Sequence, residues 1–129
     1  MDANELMIGD YVINTDFDKN KVERVETVET TRLWLSDERT YTPIVYIKPI
    51  ELTMEILVKN GFKKKSDYKC TLYEDYYELY AWEFNDGMWQ ISGHSSEFAG
   101  IPDQQVDVCY VHELQHTLRL FGIDKEIEL

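Results

Sequence analysis

The chain has 129 residues, 43% of them hydrophobic and 29% charged. That balance suits one compact domain, or two small parts sharing a core, and excludes wholesale disorder and low-complexity assemblies. Thirteen basic against 25 acidic residues give a net charge of −12.

The N-terminus, MDANELMIGD, is acidic and lacks a basic-then-apolar leader, and no stretch approaches the roughly 20 apolar residues of a membrane span. These features predict a soluble, cytoplasmic protein with no membrane partner. The charge is uneven. Residues 1–50 hold six basic and ten acidic residues, 51–69 hold five and three, and 70–129 hold two and twelve, so the three stretches carry −4, +2 and −10. Such an acidic second half repels phosphate backbones, so no direct nucleic-acid binding is expected. A protein partner with a basic surface suits it better, and an acidic decoy of nucleic acid is a further alternative.

In chain order, Ile8-Gly9-Asp10-Tyr11-Val12-Ile13 reads as a first strand, followed by a polar turn from Asn14 to Asn20. Val22 to Thr30, Arg32 to Ser36 and Pro43 to Ile47 read as three more. Short strands at this spacing predict a small barrel or curled sheet, SH3-like, over residues 1–50. Pro49 marks the junction to an α+β part over 51–129. Leu52 to Phe62 reads as a short helix: Thr53 caps its N-terminus, and Gly61 stops it with Phe62 folding back. Beyond the basic Lys63-Lys64-Lys65, strands are expected at Tyr68–Tyr73, Tyr76–Phe84 and Met88–Ser92, with a hairpin turn at Asn85-Asp86-Gly87. A loop follows from Gly93 to Asp103. Val106, Val108 and Tyr110 then alternate with polar neighbours as a strand, and a helix runs from about Val111 to Phe121, stopped by Gly122. The predicted whole is α+β: N-terminal barrel or curled sheet, helix, antiparallel sheet and C-terminal helix, on one shared core.

The aromatics Tyr73, Tyr76, Tyr77, Tyr80, Trp82, Phe84 and Trp89 suit a stacking platform for bases or sugars. Aromatics are also ordinary strand formers, so core and cross-strand packing is the simpler reading. Cys70 and Cys109 show no ligand-type spacing and are expected to be inert core thiols.

One motif resembles catalytic machinery. His112-Glu113-Leu114-Gln115-His116 matches H-E-x-x-H, which on a helix sets both imidazoles on one face, where they can bind a single zinc ion, with Glu113 as general base. Context opposes it. With His112 at 0° on the helical wheel, Val111, Leu114, Leu118 and Phe121 fall between about 180° and 260°, while His116 falls near 40°, predicting a solvated histidine face. Arg119, near 340°, puts a cation beside both. A third ligand must come from His94 or from Asp124, Glu126 or Glu128, and Gly122 stands where the extended metzincin pattern requires one. Gly93-His94-Ser95-Ser96-Glu97 places a serine, a histidine and a carboxylate side by side, but triads are assembled from distant segments.

Three stretches carry a resemblance: Glu5-Leu6-Met7-Ile8-Gly9-Asp10-Tyr11-Val12, Pro49-Ile50-Glu51-Leu52-Thr53 with Gly61-Phe62, and Tyr110-Val111-His112-Glu113-Leu114-Gln115-His116 with Leu118-Arg119-Leu120 and Gly122. Together they resemble a group of small uncharacterised proteins of gut Bacteroidales genomes, often associated with prophage or other mobile elements. Met7 and Asp10 depart from that group's usual Arg and Asn. The resemblance implies no catalytic residue. It also implies that Gln can replace Glu113 and Asn can replace His116, which makes the helix structural. The expected function is therefore a non-enzymatic accessory or protein-interaction module without a cofactor. A zinc-dependent hydrolase through His112, Glu113 and His116 stands as the alternative.

Overall fold

A computed structural model describes residues 1–74, 77–95 and 104–129, the side chains of Glu74, His94, Ser95 and Gln104 excepted. It is a mixed α and β structure with two antiparallel sheets and two helices. The chain divides into two compact units: Met1–Ile50 with Tyr110–His112, and Glu51–Cys109 with Glu113–Leu129.

The first unit holds β1 (Tyr11–Asn14), β2 (Lys21–Val28), β3 (Arg32–Leu35), β4 (Thr42–Pro43) and β5 (Ile47–Lys48) in the order β4-β3-β2-β1-β5. The closed barrel is not found: β4 and β5 stand at opposite ends of this order. The predicted first strand is shorter than expected. Ile8 to Asp10 forms a turn in which the buried Asp10 carboxylate accepts the Met7 N–H at 2.8 Å. The predicted strand from Pro43 to Ile47 is interrupted by a 3₁₀ turn, Ile44–Tyr46. Alternation along β1, β2 and β3 buries Val12, Val25, Leu33 and Leu35, which pack with Leu6 and Ile47.

In the second unit the helix α1 spans Met54–Lys59. The Thr53 hydroxyl accepts the Ile56 N–H at 3.3 Å, as an N-cap should. At its other end Gly61 takes φ +95°, the Phe62 N–H reaches the Leu57 carbonyl and the Gly61 N–H reaches that of Val58. These two bonds make a Schellman stop. The helix α2, Val111–Leu120, ends by the same device, with Ile123 N–H on the Leu118 carbonyl and Gly122 N–H on that of Arg119. Leu57, Phe62, Leu118 and Ile123 are all buried, as the apolar contact accompanying this motif requires. Buried Asn60 donates to the Ile56 and Glu128 carbonyls and accepts the Glu128 N–H, so the last residues are held against α1.

The second sheet is a meander of β6 (Lys63–Ser66), β7 (Lys69–Glu74), β8 (Tyr77–Asn85), β9 (Met88–Ser95) and β10 (Gln104–Val108), in the order β10-β9-β8-β7-β6. β6 corrects the reading of Lys63-Lys64-Lys65 as a mere connection: every residue is exposed, and pairing with β7 makes it a strand. β9 runs through Gly93 to Ser95, where a loop was expected, and residues 96–103 of that expected loop lie outside the described residues. Register sets Cys70, Ala81, Ile91 and Val106 in one row and Leu72, Leu79 and Gly93 in the next, on one face.

Gly93 lies under the end of α2, where an added Cβ would sit 2.7 and 2.8 Å from two ring carbons of Phe121. Among the described residues no helix is long and apolar enough to cross a membrane. Gly93→Ala is expected to destabilise the chain by about 1–3 kcal/mol through this overpacking. Urea midpoints should show the loss, and Gly93→Ala with Phe121→Leu should recover part of it.

Candidate functional site

The H-E-x-x-H residues occupy the first two turns of α2, but the structure gives them different surroundings. His112 is 3% exposed, and the Tyr110 ring stacks on it with centroids 5.8 Å apart and planes 9° from parallel. This corrects the predicted solvated face, and Gln115 and Thr117 are buried with it. His116 is half-buried and lines a groove of about 370 Å³ in the second unit, to which His112 contributes nothing.

Glu113 has a structural task. Its Oε1 accepts the Cys109 N–H at 3.0 Å, reaching back from the first helical turn to a donor before the helix. That is the logic of a capping box, and it stabilises the abrupt change from strand to helix. Among the described residues no three His, Cys, Asp or Glu side chains gather to hold a metal ion. His94 sits in β9 opposite Glu78; its side chain, like Ser96 and Glu97, lies outside the described residues.

The groove runs between β10 and α2. Val106, Asp107 and Val108 line it from the strand. From the helix come Glu113, His116, Thr117 and Leu120, whose spacing of three, four and seven residues places them on one face. Leu120 is 66% exposed, an open apolar end to a groove whose lining includes the acidic residues Asp107 and Glu113. Charge and helical period alone missed this site, because it depends on which strand becomes the sheet edge.

The aromatic cluster divides by strand parity. Trp89 is buried and donates its indole N–H to the Leu52 carbonyl at 3.1 Å. Tyr73, Tyr80, Trp82 and Phe84 are exposed, Tyr77 is half-buried, and Tyr76 lies outside the described residues. The Trp82 and Phe84 rings are 5.9 Å apart, and the Lys69 ammonium lies 5.8 Å from the Trp82 ring centre. The Tyr80 hydroxyl donates to Glu78 at 2.6 Å, which pushes its phenol up to about 12. Packing into the core therefore accounts for Trp89, and the other four form an accessible face.

A second polar cluster, which the sequence reading missed, lies in the first unit. Asn14 Nδ2 donates to buried Glu23 at 2.8 Å and to Glu38 at 3.1 Å; Glu38 also takes Lys19 at 2.8 Å, and Glu23 accepts the Asp37 N–H at 3.1 Å. The hydrogen bond from Lys19 holds the Glu38 carboxyl below its usual range. These bonds tie loops to the sheet, which is a structural employment for both carboxylates.

Neither cysteine is activated. Burial pushes the Cys70 thiol up to about 12, and it raises that of Cys109 too, with Glu113 and Asp107 adding to the effect. No family model matches the chain, and no curated protein or solved structure matches it either.

Two measurements follow. Glu113→Ala should cost about 1 kcal/mol in urea unfolding, and Glu113→Gln less, because the amide oxygen still accepts the Cys109 N–H. Cys70 should resist alkylation at pH 8 until the chain unfolds. Its folded pKa is raised, so its contribution to stability is complete below the unfolded thiol's value near 9 and declines as pH rises from there toward 12. Cys70→Ala should flatten that alkaline decline.

Proposed function

We propose that the chain is a non-enzymatic accessory protein, a protein-interaction module whose partner carries a basic surface. The observation that carries this reading is the exposed aromatic face of Tyr73, Tyr80, Trp82 and Phe84 on the second sheet. Tyrosine, tryptophan and phenylalanine are the side chains that concentrate at protein interfaces, and four exposed on neighbouring strands make a surface that water covers poorly. The net charge of −10 over residues 70–129 favours a cationic partner.

The first unit fits the same role. Its meander, 3₁₀ turn and final strand returning to β1 support an SH3-like reading. Phe17, in the left-handed region at φ +52° and 87% exposed, stands in a loop fastened by Thr15 to the Tyr46 carbonyl. Holding a non-glycine residue there costs about 1–2 kcal/mol, which an interaction loop can repay on binding. The competing zinc hydrolase would need Glu113 free to serve a metal-bound water, and its carboxylate holds the strand-to-helix turn instead.

Two assays separate these readings. After zinc exposure and dialysis, the purified chain should retain well under one zinc, and His112→Ala should not change that amount. Near one zinc per chain, lost in that variant, would establish the hydrolase reading instead. In capture from an extract of the source cells, a partner should be retained by the natural chain and lost by Tyr80→Ser with Trp82→Ser. Equal retention by both would remove the aromatic face from the function.

A further inference from the structure

The two edges of the second sheet are built differently. β6 presents Lys63, Lys64 and Lys65 and carries a register shift between Lys64 and Ser66. Lysines and a bulge are the usual guards of an edge strand against unwanted pairing. At the other edge β10, Gln104–Val108, pairs with β9 in continuous register, has no lysine and has no bulge.

The side of β10 turned away from β9 leads into strand-like bonding at its end. Cys109, the next residue, gives its carbonyl to the Leu52 N–H at 2.9 Å and its own N–H to Glu113, so neither group serves β9. Bonding direction alternates along an antiparallel ladder, so the peptide groups of Gln105 and Asp107 face the same way as those of Cys109. Among the described residues no backbone group bonds them. A strand laid there would continue the row that the chain's own Leu52 begins.

We propose that β10 takes an extended segment of a basic partner protein as a sixth strand, seated in the groove beside α2. Main-chain bonds to Gln105 and Asp107 supply affinity, and alternate side chains supply selectivity. On one face of the added strand, apolar side chains enter the groove over Val106 and Leu120. On the other, cationic side chains lie cross-strand from Asp107, where an opposite charge is favourable and a like charge is not. Glu113 also lines the groove, and neither cation of residues 70–129, Arg119 or Lys125, does. The ligand is thus a segment of alternating apolar and basic residues.

This inference rests on the interaction-module reading, and the test keeps the two apart. The probe is a fluorescent, end-capped heptapeptide alternating lysine and valine, titrated into the full chain by anisotropy. Saturable binding is expected, weakened at least tenfold by Asp107→Lys, by glutamate in place of the peptide's lysines, and by methylating alternate peptide amides. Lys64→Ser, on the opposite edge strand β6, should leave it unchanged. Capture of a basic partner by a chain that does not bind the peptide would overturn this inference and leave the interaction reading standing. Equal affinity for the methylated peptide would overturn strand addition in favour of charge alone. Affinity indifferent to Asp107→Lys would overturn the site. Sedimentation showing a concentration-dependent oligomer that the peptide does not dissociate would overturn it in favour of a second copy, through that copy's lysine-bearing β6.

Discussion

The bond from the Cys109 N–H to the Glu113 carboxylate is the constraint on which much of the second unit depends. It lets the chain leave a strand at Val108 and enter a helix at Val111 with two residues between them. Because the turn is so tight, the helix starts beside the strand it has just left, and its Glu113–Leu120 stripe looks onto the edge of β10. The groove is the space between consecutive elements joined too closely to part. The same bond assigns the central carboxylate of an apparent metalloenzyme motif to holding the backbone.

Residues whose role is local were legible in the sequence. Gly61 with Phe62 and Gly122 each announce a helix stop, and both form it. Thr53 announces a cap, and Asp86-Gly87 a hairpin. What failed was non-local. Lys63-Lys64-Lys65 has no apolar alternation, and only the neighbouring β7 makes it a strand. Ile44 to Tyr46 has strand-forming side chains, yet the chain coils there for one turn before β5 pairs with β1. The helical wheel located the apolar stripe of α2 correctly and still misplaced His112, because a wheel weighs hydrophobicity whereas burial also reaches polar side chains, here His112, Gln115 and Thr117. Parity along a strand predicts that aromatics divide between two faces but not which face is covered, so Trp89 and Trp82 were indistinguishable until the register was known.

The first unit shows the opposite economy. Its sheet is short-stranded and its apolar core small, and polar side chains do part of the ordering. Asn14 is shared between Glu23 and Glu38, and those carboxylates reach Asp37 and Lys19, so one amide joins the ends of three segments. Such a network contributes little net stability, since desolvation offsets most of the attraction, but it makes one loop arrangement far better than its competitors. That definiteness allows the left-handed residues Phe17, Asp18 and Asn20 to persist in a loop of a small unit.

The unequal edges of the second sheet bear on how the chain behaves at high concentration. A sheet with two open edges is a polymer's repeat unit, whereas one with two guarded edges is inert. With three lysines and a bulge closing one side, strand addition here has a direction and a terminus. Two β10 edges brought together would set Asp107 against Asp107 in some registers, adding repulsion to the cost of ordering. Within the second sheet the geometry is that of a chain stopper: among its described residues one edge is unguarded, and the other carries lysines and a register shift.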